Sequence, residues 1–223
     1  MISMIAHQWR QPLSVIAMDA NNILVDVELD NIESDSLKND LSDILEQTKN
    51  LSQTIDDFRN FFKPNKIKDE VLVQDIYMES YRVIDKSLSN NGIEIEHDFH
   101  SDTKIKIFSR ELLQVFINIL KNAKEALQEK NTEDKKIVTN IRETDTSIIV
   151  EISDNAGGVK KNIIDKIFDP YFSTKNEKNG TGLGLYMSKI IIEKHLFGKL
   201  SVTNRDDGSC FTIELPKVGE GDD

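Results

Sequence analysis

Apolar residues in the opening stretch of the chain recur every three or four positions. Ile2, Ile5, Trp9, Leu13, Ile16, Ala20, Ile23 and Val27 form one series; Leu37, Leu41, Ile44, Thr48, Leu51, Ile55, Phe58 and Phe62 form a second, stepping alternately by four and three. The first is the stripe of an amphipathic helix, and the second has the seam spacing of a coiled coil. Between them, DNIESDS offers turn residues and N-cap candidates at Ser34, Asp35 and Ser36, so the helices are expected to fold back as an antiparallel hairpin. Two helices alone cannot cover both stripes, and a homodimeric four-helix bundle is the expected way to bury them.

Past Pro64 the period changes. Short alternating runs at VLVQ near Val71, IEIEHDF from Ile93, TKIKIF from Thr103, KKIVTNI from Lys135, TSIIVEIS from Thr146, KLSVTN from Lys199 and CFTIEL from Cys210 predict strands. Helical spacing predicts helices over Asp75 to Leu88, Arg110 to Glu129 and Gly184 to His195. Strands and helices do not alternate as regular parallel units, so residues 65–223 are expected to form an α/β sandwich of mixed or antiparallel sheet under covering helices. The fold class is therefore α+β, with residues 1–64 as the helical hairpin. GEGDD at the end reads as a frayed tail.

Charge and cysteine narrow the functions. A net charge of −11 over 223 residues argues against a nucleic-acid partner, which requires clustered Lys and Arg. Cys210 stands alone, which rules out an internal disulfide or a cysteine metal cluster and suits a reducing compartment. No apolar run reaches the length of a membrane span, so no membrane contact is expected of this stretch, and the reading is cytoplasmic. Helix is already under way at the first residues, from which we expect an upstream sensor, with or without a membrane anchor.

Four blocks carry chemistry: NILKNAKEAL (Asn118 to Leu127), DNAGGV (Asp154 to Val159), FDPYF (Phe168 to Phe172) and NGTGLGLYMSK (Asn179 to Lys189). On the helix from Arg110, Leu112, Phe116, Leu120, Ala123 and Leu127 make a core face, while Gln114, Asn118 and Asn122 make a polar stripe at i, i+4 and i+8. Two asparagines on one face suit magnesium held mainly by phosphates, because a neutral amide oxygen then suffices. Asp154 continues the inward face of Ile148, Val150 and Ile152 where that strand ends. Gly180, Gly182 and Gly184 can present backbone N–H groups to phosphate at the start of the next helix. Neither a Walker loop nor a convincing Rossmann turn is present.

Together the blocks resemble the Bergerat-type ATP-binding domain of the histidine kinase, gyrase, Hsp90 and MutL superfamily, and HQWRQPL from His7 to Leu13 is similar to the acceptor box of the histidine kinase branch. The resemblance implies ATP and Mg²⁺ as ligands, with Asn122 on the metal and Asp154 reading the exocyclic amine of adenine. It implies that Gly157 and Gly158 pass close to the base, and that Gly180, Thr181, Gly182, Leu183 and Gly184 cradle phosphates at the hinge end of a mobile lid. Phe168, Tyr171 and Phe172 would anchor the start of that lid, with Phe168 and Phe172 as packing. Lys175 and Lys178 would add positive charge. Asn118 stands where gyrase-like hydrolases carry a glutamate base, which favours phosphoryl transfer over hydrolysis.

His7 lies about 200° round the helix from both Ile5 and Trp9, so it is expected to be exposed, and Pro12 is expected to kink the helix and free the carbonyl of Gln8. By resemblance His7 is the phosphoacceptor, passing the group to an aspartate of a response regulator receiver domain. Gln8 replaces an acid of the commoner HELRTPL box, so another group takes the proton or transfer is slow. Gln11 replaces a Thr or Asn that positions water for phosphatase action on the regulator, which an amide can also do. His97, His100 and His195 have no such setting and read as incidental. A catalytically silent ATP-binding scaffold, argued from Gln8 and Ala156, and an ATP hydrolase remain as rival readings.

Overall fold

The structure, a computed structural model, describes residues 2–61, 68–130, 132, 134–174 and 182–217, with the side chains of 2–11, 50 and 53–61 excepted. Contacts divide the chain into two compact units, Met1–Pro64 and Asn65–Asp223.

The first unit is a pair of packed helices, α1 (Ile2–Glu28) and α2 (Ser34–Phe61). α1 is assigned continuously through Pro12. It ends in a Schellman turn: Asn31 N–H reaches the Asp26 carbonyl at 2.9 Å, and Asp30 N–H reaches Val27 at 3.2 Å with Asp30 itself left-handed at φ 51. Aspartate tolerates that conformation where a β-branched residue would not. Because the reversal is complete by Asn31, α2 starts early. Leu37 N–H already bonds the Glu33 carbonyl at 3.0 Å, so the N-cap position is Glu33, not Ser34, Asp35 or Ser36.

The face of α2 also departs from the expected seam. Leu37, Asp40, Ile44, Gln47 and Leu51 are sheltered, whereas Leu41 and Thr48 of the heptad series are exposed. The face turned inward within one chain is thus rotated from the apolar stripe. On α1, Ile16, Ala20 and Ile23 are half-buried, while Leu13 and Val27 of the same series are exposed. Asp19 is buried, and its Oδ2 finds no hydrogen-bond partner among the described residues.

The second unit contains β1 (Asp69–Leu72), α3 (Val73–Ser89), β2 (Ile93–His100), β3 (Lys104–Ile107), α4 (Ser109–Lys130), β4 (Lys135–Glu143), β5 (Ser147–Asp154), α5 (Gly184–Ile190), β6 (Lys199–Arg205) and β7 (Gly208–Pro216). β1 and β3 form a small antiparallel pair. The main sheet is five-stranded in the order β2-β4-β5-β7-β6, antiparallel except where β2 runs parallel to β4. Strands form at all seven expected places, although β1 stops at Leu72 and the second half of the expected VLVQ strand, Val73 and Gln74, opens α3 instead. The expected helix from Gly184 to His195 keeps its span but changes pitch, with Ile191–His195 winding as a π-helix.

Alternation explains the layers. Ile137, Thr139 and Ile141 of β4, Ile148, Val150 and Ile152 of β5, and Phe211, Ile213 and Leu215 of β7 are buried on one face of the sheet, with α3 packed on β2 and α4 on β5. On the opposite face, Glu151 accepts hydrogen bonds from Arg205 at 2.6 Å and faces Arg142 at 3.7 Å. Tyr77 of α3 enters the core and meets Thr139 Oγ1 through its hydroxyl at 2.7 Å; burial pushes its pKa up to about 12.

Candidate functional site

α4 supplies the floor of the site because its two faces differ in chemistry. Leu112, Phe116, Leu120, Ala123 and Leu127 are buried, which fixes the rotation of the helix and leaves Gln114, Asn118 and Asn122 half-buried on its other flank. Asn118 Nδ2 lies 3.4 Å from the Gly184 carbonyl and 3.4 Å from Ser188 Oγ, tying α4 to the first turn of α5. Asn122, half-buried, makes no hydrogen bond among the described residues.

α4 also packs on β5, at whose end Asp154 stands. The carboxylate is held firmly: Ser209 Oγ donates to Oδ2 at 2.5 Å, and the Ala156 and Ser209 N–H groups donate to Oδ1 at 2.9 and 3.4 Å. Alanine at 156 therefore does not prevent the loop from gripping this group. The start of β7 must come very close here, since a Cβ on Gly208 would lie 1.5 Å from the Asp154 carbonyl oxygen. Amides pin the following loop. Asn155 bonds Lys136 N–H and the Asp134 carbonyl, and Asn204 bonds both the N–H and the carbonyl of Val159 at 2.8 and 2.7 Å. Gly157 and Gly158 take φ of 83 and 73 between these pins.

At the third edge, Tyr171 donates its N–H to the Gly182 carbonyl at 2.9 Å. Both are left-handed, and a Cβ on Gly182 would lie 2.4 Å from the Tyr171 carbonyl carbon, so only glycine permits this approach. Phe168 packs edge-on against Phe211 at 6.4 Å and carries the Lys189 ammonium 5.0 Å from its ring centroid. Phe172 is half-buried. Leu183 is the N-cap of α5 and supplies no side-chain cap bond.

Asp154, Gly157 and Gly158 thus sit at one edge, Asn118 and Asn122 on the floor, and Gly182, Leu183 and Gly184 at the start of α5. Lys175, Gly180 and Thr181 lie outside the described residues. His7, Gln8 and Gln11 belong to the backbone of α1, but their side chains lie outside them too, as does the expected exposure of His7.

Several contacts escape sequence reading. Ser209 could have been sought from the GSCF run that opens β7, but its partner Asp154 is known only from the β5–β7 register, which places Ser153 opposite Cys210. Ser188 gives no signal of its own. His195, expected to be incidental, places Nδ1 at 2.9 Å from Glu111 Oε2, and both are sheltered. His97 is lodged among Tyr77, Tyr81 and Phe99 at 5.0 to 5.5 Å, and burial lowers its pKa.

The chemistry fits a purine nucleotide with magnesium. A fixed carboxylate can accept a hydrogen bond from an exocyclic amine, while the Asn122 amide oxygen and the N–H groups that open α5 are of the kind that suit a metal and phosphates. Among the described residues no group of three His, Cys, Asp or Glu side chains converges to hold an ion by itself.

Residues 107–219 match the family described as histidine kinase-, DNA gyrase B- and HSP90-like ATPase. The chain is 30% identical to the signal transduction histidine-protein kinase AtoS of Escherichia coli over 97% of its own length. It spans only 24% to 44% of the length of curated relatives it matches. The catalytic domain of histidine kinase ThkA superposes with a TM-score of 0.60 at 26% identity, covering 69% of this chain and 99% of that one. ThkA in complex with response regulator protein TrrA superposes at 0.73 over 99% of this chain and 62% of that one; at 22% identity this shows the fold alone.

Proposed function

Because the chain belongs to the histidine kinase-, DNA gyrase B- and HSP90-like ATPase family, we propose that it is the cytoplasmic core of a two-component sensor histidine kinase, which transfers the γ-phosphoryl group of ATP to His7 and then to an aspartate of a response regulator. Residues 1–64 are the dimerisation and phosphotransfer hairpin, and 65–223 are the ATP-binding domain. The reading rests most on Asn118. It occupies the position of the glutamate base in the hydrolases of this family, and its Nδ2 is directed at Gly184 and Ser188. An amide cannot take a proton from water, so a bound triphosphate is kept for another nucleophile.

Asp154, held by Ser209, accepts the adenine amine; a guanine would present a carbonyl to the same carboxylate and be repelled. Asn122 holds Mg²⁺, which supplies charge neutralisation across the phosphates. Gly180, Thr181, Gly182, Leu183 and Gly184, with Lys175, enclose the phosphates. His7 attacks the γ-phosphorus through an imidazole nitrogen; the bond to the bridging oxygen breaks and ADP leaves. Gln8 stands where an acid would take the imidazole proton, so transfer is slow or another group takes it. Gln11 positions water for dephosphorylation of the regulator, and a Gln11→Ala variant is expected to lose that phosphatase action.

The exposed leucines of the hairpin support a homodimer, since Leu24 and Leu45 are 61% and 71% exposed in one chain. A sensor upstream of the hairpin belongs to the same proposal. No helix among the described residues is long and apolar enough to cross a membrane.

Incubation with γ-labelled ATP tests the proposal. Acid-labile, base-stable label on the protein, abolished in His7→Gln, is the expected result. Steady phosphate release without label would instead make the chain a hydrolase, and bound nucleotide without either would make it a scaffold.

A further inference from the structure

We propose that Ser188 is a positioning residue for Asn118, fixing which end of that amide faces the nucleotide and hence how well the site holds magnesium-bearing phosphates. This rests on the ATP-binding reading above, and it concerns a side chain which that reading does not use.

Ser188 is fully buried in α5. A hydroxyl in such a place is costly unless both its donor and acceptor capacities are used, and alanine would serve packing equally well. Ser188 uses both. Its O–H donates to the Gly184 carbonyl at 2.9 Å, a local bond common for serine in helices. The oxygen then has only lone pairs to offer, and Asn118 Nδ2 from α4 lies 3.4 Å away. The same Nδ2 lies 3.4 Å from the Gly184 carbonyl, which can only accept.

The proton logic closes in one way. With the hydroxyl proton committed to Gly184, both groups facing Asn118 are acceptors, so the amide must turn its NH₂ toward α5. A flipped amide could be met only by turning the hydroxyl proton away from Gly184, and it would still set Oδ1 against that carbonyl. Oδ1 is thereby left as the uncommitted acceptor of Asn118, one helical turn before the amide of Asn122. Each contact is long for a hydrogen bond, so the orientation depends on having two of them. Without the Ser188 oxygen, one of the two restraints is gone and the polar stripe of α4 loses its defined polarity.

The test measures binding of a non-hydrolysable β,γ-imido analogue of ATP to the full chain by calorimetry, with Mg²⁺ and with EDTA, for the parent, Ser188→Ala, Ser188→Cys and Ser188→Thr. Thermal unfolding of each variant is recorded alongside. The expected result is a loss of about five-fold, the worth of one hydrogen bond, in the Mg²⁺-dependent gain in affinity for the Ala and Cys variants. Metal-free affinity should be unchanged, and Thr, which keeps the hydroxyl, should restore the gain. Ala retaining the full gain overturns the proposal. Equal losses with and without Mg²⁺, or loss of cooperative unfolding in both Ala and Thr, also overturn it by making Ser188 merely structural. A parent chain that shows no Mg²⁺-dependent gain overturns the magnesium-site reading itself, and this inference with it.

Discussion

In the α/β unit, Leu112, Phe116, Leu120 and Leu127 of α4 and Ile148 and Val150 of β5 are completely shielded from solvent, whereas in the hairpin Leu24, Leu29 and Leu45 stay mostly exposed. Both units are built from amphipathic elements of similar regularity. They differ in whether the chain supplies a cover for every apolar face. The α/β unit closes its core with its own helices. The hairpin instead shelters Asp19 and Gln47 and leaves leucines outside, a distribution that is unfavourable for an isolated pair of helices and sensible for one half of a larger bundle.

Four measurements press on that contrast. The largest effect is expected in the closed core: Leu120→Ala should lower the unfolding free energy of the second unit by about 2–5 kcal/mol in denaturant titration, because the surroundings have little room to collapse. Next, Tyr77→Phe should cost about 1–3 kcal/mol, since it strands the Thr139 hydroxyl inside the core; adding Thr139→Val should return much of the loss. In the hairpin, Leu45→Ala should change intrinsic stability by less than about 0.5 kcal/mol and yet weaken dimerisation measured by sedimentation. A change in stability as large as that of Leu120→Ala, with no change in association, would erase the contrast.

The smallest effect concerns pH. Burial lowers the pKa of His97 in the folded unit, so the unfolded chain takes up a proton first as pH falls through about 6.5. Stability is therefore full above that value and declines below it. His97 is partly exposed, so the slope should be shallow, and His97→Phe should flatten it in thermal melts taken between about pH 5 and 8.

What the sequence made legible follows the same divide. β5 and α4 are legible because each buries one face against its own chain, so period two and period 3.6 survive in the residue order. α2 misled, since a heptad seam announces that an apolar stripe exists without saying which partner it meets; within the chain the sheltered line passes through Asp40 and Gln47 instead of Leu41 and Thr48. In the site, the residue types at Asn122, Asp154, Gly182 and Gly184 could be singled out from their spacing. Their supports could not. Ser209 reaches Asp154 across 55 positions, Ser188 reaches Asn118 across 70, and His195 reaches Glu111 across 84, contacts that no local pattern encodes. The early start of α2 at Ser34, capped by Glu33, was hidden for a related reason, because it depends on how tightly Asp30 turns the chain.

The bond from Tyr171 to Gly182 joins the two ends of the intervening segment in one backbone contact. Position 182 therefore admits glycine alone: a single methyl group there would meet the Tyr171 backbone and wedge the staple open, so a side chain at one position decides whether the FDPYF run stays fastened to the start of α5.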